Sequence, residues 1–379
     1  MRVLFIHDHR LRKVNDVYYT TGGFSDSITK RYTDIFESMT LLCRASYNNN
    51  IKGCSKIENS KVSICPIFEN KLLPKKKIVR ILQKEIDKND RIIIRLPSLL
   101  GIYAGLIALK KRKKVYIEVV GSALGSYWYR NLFGKIVAYP LEIFNKKLIK
   151  KADYVSYVSE DYLQHEYPNN NHTLGCSDVL LEERNITVLN KRITKIKKCL
   201  IKKKLVLGTL SQIDQKYKGH KTVFKAISAL KKQGLFIEYR LAGNGKKSYL
   251  LSLARKYDIE DNIVFCGQIN HKDINNWLDD LDIYIQPSLT EGMPRSVIEA
   301  IYRACPTIVS NAGGMYELIE EKYTFKKGNI SELITILSEI DIEKLENMAK
   351  RNFEFSSKFE EKNLTQKRNN FLLEFKRSA

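Results

Sequence analysis

Short β-branched runs alternate with amphipathic helical stretches along this 379-residue chain, and few folds tolerate that rhythm. Strands are expected at residues 3–6, 91–95, 114–120 and 154–158, and again at 205–208, 237–241, 263–265, 283–285 and 307–309. The helical period predicts helices over residues 23–38, 99–110, 133–150, 221–232, 247–257, 274–281 and 295–303. The alternation is that of parallel sheets covered by helices, so both halves are expected to be α/β. The length exceeds one ordinary core and fits two domains, and two domains imply a cleft. Residues 176–204, rich in charge and Asn, interrupt the rhythm and take the interdomain connection. The expected divisions are 1–185, 186–345 and a helical segment at 346–379 that crosses back to the first domain.

Composition narrows the function classes. A 44% hydrophobic and 28% charged chain is globular, and no run reaches the eighteen or so apolar residues that span a bilayer. The N-terminal residues lead into His7-Asp8-His9 without an export signal, so a cytoplasmic location is expected. Seven scattered cysteines, none in Cys-x-x-Cys spacing, argue against a disulfide framework and against zinc. The formal charge of +23 attracts polyanions of any kind, whether nucleic acid, anionic lipid or phosphorylated substrates. Lysine clusters near residues 75–77, 110–114, 146–151 and 202–204 carry much of it, but no helix-turn-helix, RNA-recognition signature or zinc finger accompanies them.

The segment richest in chemistry is Leu281-Asp-Ile-Tyr-Ile-Gln-Pro-Ser-Leu-Thr-Glu-Gly-Met-Pro-Arg-Ser-Val-Ile-Glu-Ala300. A buried strand ends at Pro287-Ser288, a loop carries Glu291-Gly292-Met293, Pro294 opens a helix at its first turn, and Glu299 falls within that helix. Free N–H groups and the positive end of the helix dipole favour a phosphate there. The two glutamates could then accept hydrogen bonds from sugar hydroxyls flanking that phosphate. Either glutamate alone reads equally well as a helix cap or a solvent residue; together with the later Gly313-Gly314 they point to a site.

The pair Glu291 and Glu299 resembles the Glu-x7-Glu motif of glycosyltransferase family 4. Gly208-Thr-Leu-Ser-Gln212, Tyr217-Lys-Gly219, Leu241-Ala-Gly-Asn-Gly245, Phe265-Cys-Gly-Gln268 and Asn311-Ala-Gly-Gly-Met-Tyr-Glu-Leu-Ile319 follow in that family's order and spacing. The resemblance implies a GT-B fold, two Rossmann-like domains facing an interdomain cleft. It implies that Glu299 holds the ribose, Glu291 lies near the donor sugar, the amides of Arg295 and Ser296 meet the diphosphate, and Lys218 neutralises it. Gly267 and Ile269 would border the base, and Gly292 and Met293 complete the donor loop. In the first half, Gly22-Gly23 resembles the glycine-rich turn that approaches the donor phosphates; alone it is more often just a turn. Glu291 and Lys218 are the expected catalytic residues.

Two departures from the family stand out. Thr209 occupies a position where relatives commonly carry Arg, with Lys216 or Arg295 as candidates to compensate, and Pro294 removes a backbone donor. Asp280-Leu-Asp282 mimics a metal site but sits where a helix runs into a buried strand, which favours a turn. His7-Asp8-His9, at the expected end of the first strand, is equally compatible with a substrate contact and with none.

The resulting expectation is a retaining glycosyltransferase that needs no metal or other cofactor. It would take a UDP- or GDP-sugar and a lipid-linked saccharide, working peripherally on the anionic inner face of the cytoplasmic membrane in surface polysaccharide assembly. No nucleic-acid partner is expected. The open alternatives are a basic nucleic-acid-binding protein and a same-fold nucleotide-sugar epimerase.

Overall fold

The computed structural model describes residues 1–21, 24–69, 75–129, 132–179, 181–199 and 204–378. It divides into two compact units, unit 1 formed by Met1–Cys176 with Thr365–Ala379, and unit 2 by Ser177–Leu364. The first division therefore falls nine residues before the one placed from sequence, at 176/177 instead of 185/186. The return to unit 1 comes at residue 365, inside the final helix Glu361–Arg377.

In unit 1 the strands are β1 (Arg2–Val14), β2 (Val17–Thr20), β3 (Ser38–Tyr47), β4 (Ser55–Lys56), β5 (Val62–Ile67), β6 (Arg91–Leu96), β7 (Val115–Val119), β8 (Tyr154–Tyr157) and β9 (His172–Gly175). Seven of these pair in parallel, in the order β5-β3-β1-β6-β7-β8-β9, with β2 and β4 added antiparallel beyond the far end of β1. The order reverses at β1, the mark of a Rossmann-like unit. The helix expected over residues 23–38 is shorter, Asp26–Thr33, and gives way to β3, which the sequence reading missed.

His7 and His9 do not end the first strand, because β1 continues to Val14 through a register shift against β3 between Ile6 and Arg10. Protein groups occupy the irregularity. His9 N donates to His7 Nδ1, His9 Nε2 meets Thr20 Oγ1, and Asp8 accepts from Arg44 Nε and Leu99 N. Burial, Arg95 and His9 push the His7 pKa down to about 3, so that ring is neutral.

The core of unit 1 gathers Phe5, Phe24, Tyr32, Phe36, Tyr116 and Tyr154 around Phe371, Leu372 and Phe375 of the final helix. The Phe375 ring lies 5.4 Å from both Tyr116 and Tyr154. Arg91 and Lys376 tie the helix in by donating to the carbonyls of Phe375 and Ile35 respectively.

Unit 2 holds β10 (Lys204–Leu210), β11 (Phe236–Ala242), β12 (Ile263–Gly267), β13 (Ile283–Gln286), β14 (Thr307–Ser310) and β15 (Thr324–Phe325). They form one parallel sheet, β12-β11-β10-β13-β14-β15. The segment expected to be a linker instead carries the helix Ile186–Cys199, which belongs to unit 2. Arg192, almost fully buried, anchors it by donating to the carbonyls of Leu278 and Leu281. Asp282 accepts from Val206 N at 2.8 Å and pairs with Lys195 at 3.3 Å, so in place of the turn expected from sequence its side chain ties the start of β13 to β10 and to the helix Ile186–Cys199.

Phe375→Ala should destabilise unit 1 by about 3–5 kcal/mol, the cost of removing a fully buried aromatic side chain. Denaturant unfolding measures it, and an unchanged midpoint would remove Phe375 from the core.

Candidate functional site

The strand order of unit 2 reverses between β10 and β13, so a crevice opens beyond the carboxyl ends of these two strands. Two loops meet there. One follows β10 and carries the turn Lys216–Lys218; the other follows β13 and carries Glu291. Leu289 N donates to Tyr217 O at 2.7 Å, tying the loops together.

Gly219 makes the approach possible. Its φ is +76°, and a Cβ there would stand 1.8 Å from the carbonyl oxygen of Pro287. On the other side, Gly313 has φ +63°, and a Cβ would lie 2.1 Å from the Glu291 carbonyl oxygen. Gly314 N donates to Gly292 O at 2.8 Å. The Glu291 loop is thus clamped between two backbone segments that approach too closely for any side chain.

Lys218 Nζ reaches Glu291 Oε1 at 2.6 Å, and both side chains are largely buried. Ser288 Oγ donates to the same oxygen at 2.7 Å and Gln286 Nε2 at 3.2 Å. All three donors converge on Oε1, which leaves Oε2 without a donor among the described residues. Gln286 is set in turn by Tyr284 OH, which donates to its Oε1 at 2.7 Å. The Tyr284 phenol also meets Ser296, and burial pushes its pKa up.

Pro294 occupies the N-cap of the helix Arg295–Tyr302, one position before the first turn expected for it. The amides of Arg295 and Ser296 begin that helix and have no carbonyl one turn back to bind within it. Glu299 sits one turn further on, half-buried. Burial raises its pKa, against the opposing pull of Arg295 and His271.

Of the residues singled out from sequence, the structure brings Lys218, Glu291, Gly292, Met293, Arg295, Ser296 and Glu299 into one continuous neighbourhood. Gly267 and Ile269 lie at the end of β12, two strands away along the same sheet edge. Gly22 and Gly23 lie outside the described residues.

Thr209 does not face the crevice. It is fully buried, with Oγ1 bonded to Ile285 O and 2.7 Å from Tyr239 OH. Lys216 is drawn over the Tyr249 ring at 5.0 Å, while Arg295 is exposed. The sequence reading missed the supporting residues Tyr284, Gln286, Ser288, Tyr239 and His220. Buried His220 contacts Tyr239 OH at 3.0 Å and Ser211 Oγ at 3.3 Å; burial and nearby Lys218 lower its pKa to about 3. A neutral imidazole therefore anchors the helix that follows Lys218.

Such an arrangement can bind an anion at the amides and ammonium while a carboxylate oxygen accepts from a neighbouring hydroxyl. Among the described residues no three His, Cys, Asp or Glu side chains cluster as a metal set.

Comparison with known proteins follows the same lines. Residues 184–354 match the family described as Glycosyl transferases group 1. Over 346 residues the chain is 36% identical to Protein CapJ of Staphylococcus aureus, covering 89% of this chain and 86% of that protein. It is 32% identical over 130 residues to the amylovoran biosynthesis glycosyltransferase AmsK of Erwinia amylovora, about a third of each chain. The fold matches HepE of Anabaena, solved in complex with UDP-glucose, with TM-score 0.65, 18% identity and coverage of 98% of this chain and 99% of that one.

Gly219→Ala and Gly313→Ala should each cost more than about 1 kcal/mol, because each residue combines positive φ with a blocking carbonyl. Thermal unfolding of the two variants checks this, and wild-type midpoints would show that the loops can relax.

Proposed function

The chain belongs to the group 1 glycosyltransferases, and from that membership we propose that the crevice of unit 2 holds the nucleoside diphosphate of a UDP- or GDP-sugar. The observation that carries this reading is the Lys218–Glu291 pair beside the open helix start at Arg295. The diphosphate takes the amides of Arg295 and Ser296, and Lys218 turns part of its charge from Glu291 to the phosphate oxygens. Glu291, still held at Oε1 by Ser288 and Gln286, offers Oε2 to a hydroxyl of the donor sugar. Glu299 accepts from the ribose hydroxyls, with Gly267 and Ile269 beside the base. Met293 and Gly292 shape the donor loop.

Transfer proceeds with retention. The bond between the anomeric carbon and the diphosphate oxygen breaks with its electron pair going to the diphosphate, while the acceptor hydroxyl oxygen bonds the anomeric carbon on the same face. The acceptor proton passes to the departing diphosphate. Negative charge grows on that leaving group, so fixed donors there stabilise the transition state more than the ground state. No metal or other cofactor is required in this scheme.

The acceptor is a lipid-linked saccharide, and the product enters a surface polysaccharide. Support comes from the likeness to a transferase of amylovoran biosynthesis. The enzyme works peripherally at the inner face of the cytoplasmic membrane; no described helix is long and apolar enough to cross a membrane.

Calorimetry with a panel of UDP- and GDP-sugars tests the donor assignment, and failure to bind any of them would overturn it. Lys218→Ala should lower kcat by about 10²-fold or more while the protein stays folded. Equal turnover would remove Lys218 from the site. Turnover should persist in EDTA; complete loss restored by magnesium or manganese would overturn the metal-free scheme.

Glu299 supplies a pH test. Its raised pKa means that it takes up a proton above glutamate's ordinary value of 4.5. Donor affinity should therefore fall as pH is lowered through the raised value, and Glu299→Gln should remove that dependence. For stability the sign is opposite: the folded state holds the proton more tightly than the unfolded chain, so this group's contribution is full below pH 4.5 and is lost as pH rises through the folded value. Titrations of both proteins with a nucleotide sugar check the affinity trend, and parallel curves would sink it.

A further inference from the structure

The 20-residue helix Leu132–Lys151 of unit 1 turns an unusual face to solvent. Ile136, Tyr139, Ile143 and Phe144 are 72%, 56%, 53% and 43% exposed, and Leu106 of the neighbouring helix Leu99–Lys110 adds a fifth apolar side chain at 41%. Scattered exposed apolar residues are ordinary, but contiguous ones mark an interaction surface. Three of them, Leu106, Ile136 and Phe144, line an apolar groove of about 360 Å³ between the two helices, together with Ile102, Tyr103 and Pro140 among others.

The charge on the same helix is one-sided. Lys135, Lys146, Lys147, Lys150 and Lys151 are exposed, whereas its one carboxylate, Glu142, is buried, accepts from Tyr167 OH and Leu124 N, and offsets only Lys146, at 3.5 Å. The helix also carries Tyr139, an aromatic ring of the kind that settles at a lipid-water boundary. Trp128 packs edge-on to Tyr139 at 5.7 Å, and Lys135 Nζ lies 5.3 Å over its ring. A second copy of this chain placed face to face would set lysines against lysines, and the chain already carries +23. An anionic lipid surface matches both features at once, hydrocarbon for the groove and negative headgroups for the lysines.

We propose that this groove and its lysine flank form the face that seats unit 1 on an anionic lipid leaflet, with a hydrocarbon chain of a leaflet lipid lying in the groove. The proposal rests on the membrane reading given above for its partner, and it assigns that partner a specific surface.

The test uses the full chain and vesicles of phosphatidylcholine with and without phosphatidylglycerol, at low and high salt. The parent should pellet with the phosphatidylglycerol vesicles at low salt and be released at high salt. Its tryptophan emission should shift to the blue; Trp277 is buried in unit 2, so the change should vanish in Trp128→Phe. Lys146→Glu with Lys147→Glu should weaken binding by on the order of tenfold or more. Ile136→Asp with Phe144→Asp should abolish it while the thermal midpoint and donor hydrolysis stay at parent values.

A parent that stays in the supernatant overturns the proposal. So does an Ile136/Phe144 variant that pellets like the parent, or one whose only change is the loss of a parent dimer. The lipid-linked acceptor is judged separately: strong vesicle binding with transfer only to lipid-free acceptors would refute that reading and leave this face standing.

Discussion

One carboxylate oxygen organises the site in unit 2. Glu291 Oε1 collects Lys218, Ser288 and Gln286, so a cation from the loop after one strand and two donors from the end of another are fixed to a single point. A largely buried carboxylate is tolerable only with such partners, and a buried lysine only with such a carboxylate. Each therefore holds the other ready in the absence of ligand. The glycines at 219 and 313 serve this contact, since they let three backbone segments come close enough for it to form.

Much of the fold was legible because buried parallel strands read as continuous apolar runs. Residues 3–6, 91–95, 205–208 and 283–285 all fall in strands of the structure. β3 escaped because Arg44 follows directly on Leu41-Leu42-Cys43; its charge suggests a surface, and only partners far away in sequence, Asp8 and the Glu69 carbonyl, explain its burial. β5 contains Pro66 and lies at the edge of its sheet, where a missing N–H is tolerated. The helix Ile186–Cys199, rich in Lys and β-branched residues, has weak local propensity and is secured by Arg192 reaching distant carbonyls.

The site was legible in parts. Pro294, Arg295 and Glu299 follow from local helix rules, but the meeting of Lys218 with Glu291 spans 73 residues and no local rule predicts it. Tyr284, Gln286 and Ser288 had a readable signal: they alternate along one strand and its exit, and three polar groups at that period in an otherwise apolar run need partners. Thr209 shows the opposite limit. Its position matched a familiar pattern, yet its side chain bonds Tyr239 and Ile285 inside the sheet, so the pattern's charge has no counterpart at that point.

The final helix brings a consequence for biosynthesis. Phe371, Leu372 and Phe375 belong to the core of the unit that is translated first, yet all of unit 2 is made before them. On the ribosome, strands β1 to β9 emerge with an apolar patch around Tyr116 and Tyr154 still uncovered, while unit 2 can close its own sheet ahead of them. The order of synthesis is thus the reverse of the order of completion, and the nascent first unit must be kept from aggregation until residues 365–377 leave the exit tunnel.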